Sequence, residues 1–397
     1  MISQEVEPTQ KKKTIPEPPS SFSSLPHEIA ENILARVSRW NYPCLSLVSK
    51  SFRSLLSSKE IYKTRSQIGA KETCVYVCLK LPNQPYASWF SLWTNPNKKR
   101  TKRRGKTKFK RDSSGNSVVP TPFSPFHSPP FPRYTATTVG SEIYIIGGPD
   151  GEPSASVRIL DCRSHTWRDG PNMTVARDDA YTALLDGKIY VMGGCDIDSY
   201  STNWIEVFDV RTQSWTALPG PGPDVDDELR HAYYFIIVNV CEGKIHVATI
   251  GKDYSYESKD GTWKLVREKS NLFFSNSVEA WCEMENVLYC CTDLGYLMWS
   301  TTEIECQEWR EIKGLDELRE DLKIGKEFGM VNYGGKLLVM WYPYSDLCMR
   351  RNKIWYAKIC LESRCNGREV WGKVECLDML TFPVETYKSF CCLTASV

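Results

Sequence analysis

The chain has 397 residues, and 50 Lys and Arg against 48 Asp and Glu leave a formal net charge of only +2. Because 41% of the residues are hydrophobic, the chain can bury a core, which excludes wholesale disorder. The longest apolar run, Tyr233 to Val240, is far shorter than the roughly 20 residues that cross a bilayer, so no membrane-spanning helix is expected. This length predicts two or three domains, or one large β domain with a small companion.

Residues 1–20 are polar and rich in proline, which predicts a disordered N-terminus. Charges and prolines stand where a secretory signal would place its apolar stretch, so we expect a protein of the nucleus, the cytosol or both. The sixteen cysteines contain no C-x-x-C pair and are interpreted as reduced, mostly buried thiols. Within Cys290-Cys291 and Cys391-Cys392, neighbouring side chains of a strand would point to opposite faces.

Residues 21–68 carry the apolar period of helices. One apolar stripe begins after Pro26, which suits a first helical turn, and a second follows Pro43. A third short helix is predicted to end at Gly69. About 45 residues of helix cannot bury both faces alone, so we expect exposed apolar surface that meets a partner.

From Cys74 onward the apolar period is two, with Gly, Pro and Asp at turns, which predicts an all-β region. Two segments repeat most clearly, and three weaker copies follow, each interpreted as four strands. A sixth unit has strands at 74–80, 87–94 and 116–122 but lacks a first strand. If the apolar tail 387–397 supplies that strand, the first and last units are joined and the ring closes without an open edge.

One run, Lys98 to Arg111, holds ten basic residues and no acidic one, so the other residues sum to −8. A generally basic nucleic-acid-binding protein is therefore excluded. The run lies between the third and fourth strands of the first unit, and with one aromatic, Phe109, it is a poor specific reader of nucleic acid. Two interpretations stay open, a nuclear-import signal and a solvated loop.

The helical segment resembles the F-box, and the β region, residues 72–397, resembles kelch repeats through its IYIIGG and IYVMGG strands and spaced tryptophans. Four of the six repeats have lost the double glycine. The order of the two parts is similar to that of the plant F-box/kelch-repeat family. The resemblance implies a mainly all-β fold, a six-bladed kelch β-propeller preceded by a small helical F-box domain.

That resemblance implies a non-catalytic substrate receptor of a Skp–cullin–F-box (SCF) ubiquitin ligase. The F-box would dock the Skp-type adaptor and, through it, cullin, while the propeller would bind the protein to be ubiquitinated. Some of the F-box positions are expected to form the helical core instead. The positions that match the motif are Leu25, Pro26, Ile29, Ile33, Leu34, Val37, Leu45, Val48, Ser49, Phe52 and Leu55. The alternatives are a kelch scaffold outside any ligase, and a propeller enzyme.

Catalytic and metal-binding patterns are weak, and no cofactor or metal is expected. A copper oxidase needs a cluster of His, Tyr and Cys ligands, and the five histidines do not converge with such residues. Asp227 and His231 stand at helical spacing, as in iron-binding kelch proteins, but Pro223 occupies the position of the third ligand.

Basic residues recur at the start of the repeats. Because each precedes or begins a first strand, they are predicted to gather positive charge near one mouth of the channel and to bind an acidic or phosphorylated substrate segment. The alternative is that these arginines bond neighbouring loops. The residues are Arg133, Arg177, Arg230 and Lys326.

Overall fold

The computed structural model describes residues 25–84, 86–93, 117–122, 129–132, 134–148, 152–195, 204–220, 229, 235–268, 278–301, 308–343 and 351–397. The chain divides into two compact units, one ending at Ala70 and one beginning at Lys71. No helix among these residues is both long enough and apolar enough to span a bilayer. The predictions for residues 1–20 and for the run 98–111 concern residues outside these ranges.

The described part of the first unit is helical. Two of its helices begin at serine caps: the Ser49 hydroxyl accepts a hydrogen bond from the Phe52 amide at 3.1 Å, and the Ser58 hydroxyl accepts one from the Ile61 amide at 3.3 Å. The first helix begins directly after Pro26, as expected. The elements are α1 (His27–Ala35), a 3-10 turn (Arg39–Asn41), α2 (Tyr42–Leu45), α3 (Lys50–Leu56) and α4 (Lys59–Gln67).

A buried arginine on the last helix of this unit is bonded to the end of the first helix. Arg65 on α4 donates hydrogen bonds to the carbonyl oxygens of Ala35 at 2.9 Å and Val37 at 2.8 Å, and to the Tyr42 hydroxyl at 3.1 Å. These bonds satisfy carbonyl groups left open where α1 ends. The apolar core beside them consists of Ala30, Leu34, Ala35, Tyr42, Leu55, Leu56 and Ile61.

The second unit is a six-bladed β-propeller of four-stranded antiparallel sheets, as the resemblance implied. Blade 1 contains β24 (Ser389–Ser396), β1 (Thr73–Lys80), β2 (Ala87–Trp93) and β3 (Ser117–Pro120). Blades 2 and 3 contain β4 (Ala136–Val139), β5 (Glu142–Ile146), β6 (Val157–Asp161), β7 (Thr166–Gly170), β8 (Tyr181–Leu185), β9 (Lys188–Met192), β10 (Ile205–Asp209) and β11 (Ser214–Leu218). Blade 4 contains β12 (Phe235–Cys241), β13 (Lys244–Thr249), β14 (Asp253–Glu257) and β15 (Thr262–Arg267). Blades 5 and 6 contain β16 (Val278–Met284), β17 (Val287–Thr292), β18 (Leu297–Thr301), β19 (Arg310–Glu311), β20 (Gly325–Asn332), β21 (Leu337–Pro343), β22 (Lys353–Arg364) and β23 (Glu369–Thr381).

The last strand of the chain completes the first blade, which is the pairing that the sequence predicts for the C-terminal tail. β24 runs antiparallel to β1, and Glu72 and Val397 exchange both backbone hydrogen bonds, at 2.7 and 2.9 Å. Glu327, at a β-bulge of β20, accepts a hydrogen bond from the Phe390 amide at 2.8 Å and another from the Ser389 hydroxyl. The closing strand is therefore hydrogen-bonded to β1 within its own blade and to β20 of blade 6.

Several of the recurring tryptophans pack between blades. Trp167 lies edge-on to Trp89 of the preceding blade, with ring centroids 5.2 Å apart. Trp263 contacts Trp204 in the same way at 5.6 Å, and the Trp215 indole donates a hydrogen bond to the Pro171 carbonyl at 2.8 Å. Each aromatic thus buries apolar area where two sheets meet.

The glycine pairs of blades 2 and 3 occupy bends that have no room for a side chain. A β-carbon at Gly148 would lie 1.8 Å from the Glu152 carbonyl oxygen, and one at Gly194 would lie 2.0 Å from that of Asp178. Gly194 also has a φ of +67°, which favours glycine.

One helix of the propeller was not predicted. α5 (Asp316–Lys323) lies between β19 and β20, and it buries Leu318 and Leu322. The spacing of these leucines from Leu315 is helical, but it is too short to stand out within a region of period two. The connection between blades 5 and 6 is therefore a helix.

Candidate functional site

Among the described residues of the helical unit, five large apolar side chains are exposed. Ile29 and Ile33 lie one turn apart on α1, with 50% and 42% of their surfaces exposed. Leu47 and Val48, between α2 and α3, are 77% and 64% exposed, and Leu25 is 36% exposed. We call Leu25, Ile29, Ile33, Leu47 and Val48 the exposed apolar set. A unit this small gains no stability from leaving so much apolar surface in water, and exposure of this kind is typical of interaction surfaces.

Of the remaining F-box positions, two are buried, three are half-buried and two are exposed, and an adaptor-docking role for the five that keep some exposed surface stays a prediction. Leu34 and Leu55 are 2% and 4% exposed and belong to the core, so their side chains offer no surface to a partner. Val37, Leu45 and Phe52 are half-buried. Pro26 and Ser49 are exposed, and they stand at the starts of α1 and α3.

Leu47 was missed by the sequence reasoning, although it is the most exposed member of the set. The Leu47 amide bonds to the Cys44 carbonyl at 3.2 Å, and the Val48 amide bonds to the Leu45 carbonyl at 3.1 Å. This turn continues α2 and leaves Leu47 outside the apolar stripe shared by Leu45 and Val48. The available signal was a leucine outside the helical stripe, two residues before the serine that caps α3.

Arg177 is fully buried and bonds neighbouring loops. Its guanidinium lies 3.1 Å from a Glu206 carboxylate oxygen, and it donates to the carbonyl oxygens of Gly193 at 2.7 Å and Trp204 at 3.0 Å. Its own carbonyl accepts the Gly148 amide at 2.8 Å, which links blade 2 to the connection that leads into blade 3. An enclosed guanidinium cannot reach a substrate, so the predicted substrate contact does not hold for Arg177, and the alternative interpretation matches its contacts.

Replacing Arg177 with methionine is expected to destabilise the propeller by about 3 kcal/mol, because it leaves the Glu206 carboxylate buried without its counter-charge. Urea unfolding measures this loss. The double variant Arg177→Met with Glu206→Met should recover part of it, since both charges are then absent. A single variant as stable as the natural chain would contradict the structural role.

The propeller exposes large apolar side chains mainly on one face. In an antiparallel four-stranded blade, the connection between the second and third strands and the connection to the next blade emerge on the same face. Among the described residues, these connections carry the exposed Tyr86, Tyr134, Ile250, Leu294 and Ile324. We call these five residues the propeller loop set.

Two members of the propeller loop set lie on elements that pack closely together. A β-carbon added at Gly295, next to Leu294, would lie 2.7 Å from the Lys323 amide nitrogen, directly before Ile324. Arg319 of α5 stacks over the Tyr296 ring at 3.7 Å. The loop of blade 5 and the end of α5 therefore pack against each other, and Leu294 and Ile324 are exposed next to this contact.

Comparisons with known proteins agree with both units. The F-box domain model matches residues 22–64, and the model described as "FKB95, Kelch-repeats domain" matches residues 89–381. The chain is 44% identical over 423 residues to the Arabidopsis thaliana F-box/kelch-repeat protein At5g39560, covering 100% of this chain and 98% of the relative. This chain belongs to the F-box/kelch-repeat family.

Two other relatives from Arabidopsis thaliana show similar coverage. F-box/kelch-repeat protein At4g19870 is 43% identical over 394 residues, covering 95% of this chain and 93% of the relative. The putative F-box/kelch-repeat protein At4g39760 is 40% identical over 400 residues and covers 100% of both chains. A solved structure titled "Structure of YjhT" matches 66% of this chain and 98% of its own, at 10% identity and a TM-score of 0.40. The F-box with kelch repeats supports a substrate-adaptor role in complexes of the SCF type.

Of the other basic residues predicted to bind substrate through the kelch propeller, Arg133 and Arg230 lie outside the described residues. Lys326 is exposed on β20, two residues after Ile324 of the propeller loop set. A binding role for these three residues stays a prediction.

No group of three or more His, Cys, Asp or Glu side chains that could hold a metal ion occurs within the described ranges. Asp227 and His231 fall outside them. His246 occupies a buried position of β13 and is 2% exposed. Burial, and then the charge of Arg267, lower its pKa from 6.5 to about 4, so the imidazole is neutral at physiological pH.

This histidine should make the kelch propeller sensitive to acid. Below pH 6.5 the unfolded chain binds a proton at His246, whereas the folded chain binds it only near pH 4, so stability falls across that interval. The expected loss is about 3 kcal/mol. Urea unfolding from above pH 6.5 down to about pH 4 measures this loss of stability, and His246→Leu should flatten that part of the stability-against-pH profile. An equally steep fall in this variant would assign the sensitivity to other groups.

Proposed function

We propose that the chain is the substrate-recognition subunit of an SCF ubiquitin-protein ligase. The exposed apolar set would dock a Skp-type adaptor and, through it, cullin, and the kelch propeller would bind the protein to be ubiquitinated. One observation carries the proposal: a helical unit that matches the F-box keeps five large apolar side chains in water.

The energetics of the exposed apolar set support docking of an adaptor. Full burial of a leucine or isoleucine side chain contributes roughly 1.5–3 kcal/mol. Burial of several such side chains would offset the cost of association, which burial of a single exposed leucine would not. The polar core contacts of Arg65 keep α1 and α4 in place without using this surface.

The propeller would act as a rigid platform, and the chain itself would make or break no bonds. Its contribution to ubiquitination is effective concentration, because a bound substrate is kept near a ubiquitin-charged enzyme elsewhere in the complex. The proposal assigns substrate binding to the propeller loop set, with Lys326 beside it. Supporting this is the exposure of Ile250 and Leu294 at 62% each and of Ile324 at 53%.

Reconstitution tests the proposal. The full chain and a version lacking residues 21–68 are mixed with a purified Skp-type adaptor and cullin and separated by size. We expect a stable complex with the full chain only. If the full chain fails to bind the adaptor, the alternative of a kelch scaffold outside any ligase takes its place. Proximity labelling with the proteasome blocked, comparing the same two chains, then identifies the substrate.

For localisation, we propose that the run 98–111 is a nuclear-import signal in a protein that occupies the nucleus and the cytosol. Removing these residues from a fluorescent fusion is expected to shift the protein to the cytosol, because ten positive charges leave with the run. Adaptor binding should be unchanged. An unaltered distribution would favour the solvated-loop interpretation.

A further inference from the structure

The strand pair that closes the propeller contains two cysteines in direct register. β1 is the first strand of the propeller in sequence and β24 is the last, and Cys78 of β1 lies opposite Cys391 of β24. The other cysteines of these strands face different residues: Cys74 lies opposite Ala395, and Cys392 lies opposite Val77.

The backbone geometry suits a bond between the two sulfur atoms. Glu72 and Val397 exchange both hydrogen bonds, and such pairs recur at every second position of an antiparallel ladder, so Cys78 and Cys391 form one of them. The α-carbons of such a pair are about 5.5 Å apart. Disulfides form at α-carbon separations of roughly 4.4–6.8 Å, so the α-carbon spacing of this pair lies within that range.

The side chains of Cys78 and Cys391 share a face of the sheet that Cys392 does not. Tyr76, two residues before Cys78, donates a hydrogen bond to the Cys162 carbonyl of blade 2 at 3.2 Å, so this face meets blade 2. Cys392 points the other way, toward blade 6, where a β-carbon at Gly329 would lie 2.6 Å from its sulfur atom. Because side chains alternate between the two faces of a strand, Cys391 and not Cys392 lies on the same face as Cys78.

Burial raises the pKa of the Cys78 thiol well above its ordinary value, and the neighbouring Cys391 thiol raises it further through a side-chain hydrogen bond. The two cysteines are therefore direct neighbours across the strand pair while both are reduced. Cys391 keeps part of its surface exposed, whereas Cys78 is fully buried. An oxidant would meet Cys391 first.

We propose that Cys78 and Cys391 form a reversible disulfide that covalently closes the propeller when the protein meets a peroxide. Hydrogen peroxide oxidises the Cys391 thiol to a sulfenic acid and releases one water. The Cys78 sulfur then attacks the Cys391 sulfur, the S–S bond forms, the S–O bond breaks, and a second water leaves with the Cys78 proton. The thiols lose two electrons in total, and peroxide gains them.

Two features bear on the rate and the consequence of this bond. The high pKa of Cys78 slows its attack, but its position directly opposite Cys391 offsets this through a high effective concentration. The bond would enclose almost the whole propeller sequence in one covalent loop. A disulfide that closes a long loop restricts the unfolded chain strongly, so the oxidised propeller should resist unfolding.

The test uses two matched double variants of the full chain. Cys74→Ala with Cys392→Ala leaves the proposed pair, and Cys78→Ala with Cys391→Ala removes it. Each protein is treated with hydrogen peroxide, its remaining thiols are blocked, and it is digested with trypsin without reduction. Trypsin releases Glu72–Lys80 and Ser389–Val397, each of which contains two cysteines in the natural chain, so the variants decide which pair is linked.

We expect a linked peptide pair, two hydrogens lighter than the sum of its parts, in the natural chain and in the first variant, and none in the second. The thermal midpoint of the linked proteins should rise by about 5 °C and return when a small thiol reduces the bond. If the second variant does not fold, Cys391→Ala alone, at the partly exposed position, takes its place. A first variant that becomes oxidised at Cys391 without forming the linked pair would overturn the proposal, as would a link that persists without Cys391.

Discussion

Changing Ile29 and Leu47 to aspartate is expected to lower the affinity of the chain for a Skp-type adaptor by about a thousandfold. These side chains are 50% and 77% exposed in the free protein and would be buried in the complex. Losing two buried apolar side chains removes roughly 4 kcal/mol of binding free energy, and the desolvation of two new carboxylates adds to the loss. Titration calorimetry with purified adaptor measures the change.

A matched control separates docking from general surface effects. Leu265 on β15 is 47% exposed, so Leu265→Asp introduces one aspartate at similar exposure outside the F-box, against two in the test variant. It should leave adaptor affinity unchanged. The Ile29 and Leu47 variant should keep the helical signal of the natural chain, because neither side chain belongs to the core cluster. Adaptor binding of natural strength in that variant would refute the proposed docking surface.

Removing residues 387–397 is expected to abolish the cooperative unfolding of the propeller. The deletion takes away β24, every hydrogen bond between it and β1, and the buried side chains of Tyr387 and Phe390. Loss of one large buried aromatic costs about 3–5 kcal/mol, and a whole domain is stable by only about 5–15 kcal/mol. The open blade would also expose the backbone edge of β1. Thermal unfolding monitored by circular dichroism measures the effect.

Two further measurements make this deletion informative. Adaptor binding should survive it, because the exposed apolar set lies in the unit that ends at Ala70. A synthetic peptide of residues 387–397, added in trans, should restore part of the cooperative transition. A truncated chain that unfolds at the same midpoint as the natural one would show that ring closure contributes little to stability.

The repeat pattern was sufficient to predict how blade 1 is assembled. Three strands at 74–80, 87–94 and 116–122 lacked a first strand, and an apolar tail lacked a unit. The structure has β1, β2 and β3 at those places, paired with β24 as predicted. Such a prediction is possible because alternation along a strand and spacing between repeats are local properties of a sequence.

The same sequence could not separate exposed residues from core residues within the F-box. Ile33 and Leu34 are adjacent and chemically alike, yet one is 42% exposed and the other 2%. Helical spacing shows that a face is apolar, but the packing of α1 against α4 decides how much of that face is covered. Leu47 was missed for a related reason, because the turn after α2 turns it out of the stripe.

By itself, the sequence determined the F-box and kelch order, the six-unit ring and the strand that closes it, because periodicity, glycine bends and tryptophan spacing act within short segments. Only the tertiary structure decided which side chains are available. Arg177 stands at the start of a repeat like a candidate ligand for an acidic substrate, but its side chain is buried and forms an ion pair with Glu206, which is also buried. Cys391 and Cys392 are neighbours in the chain, and the register of β24 against β1 brings only Cys391 to Cys78. Such pairings depend on contacts between distant segments, which no local pattern contains.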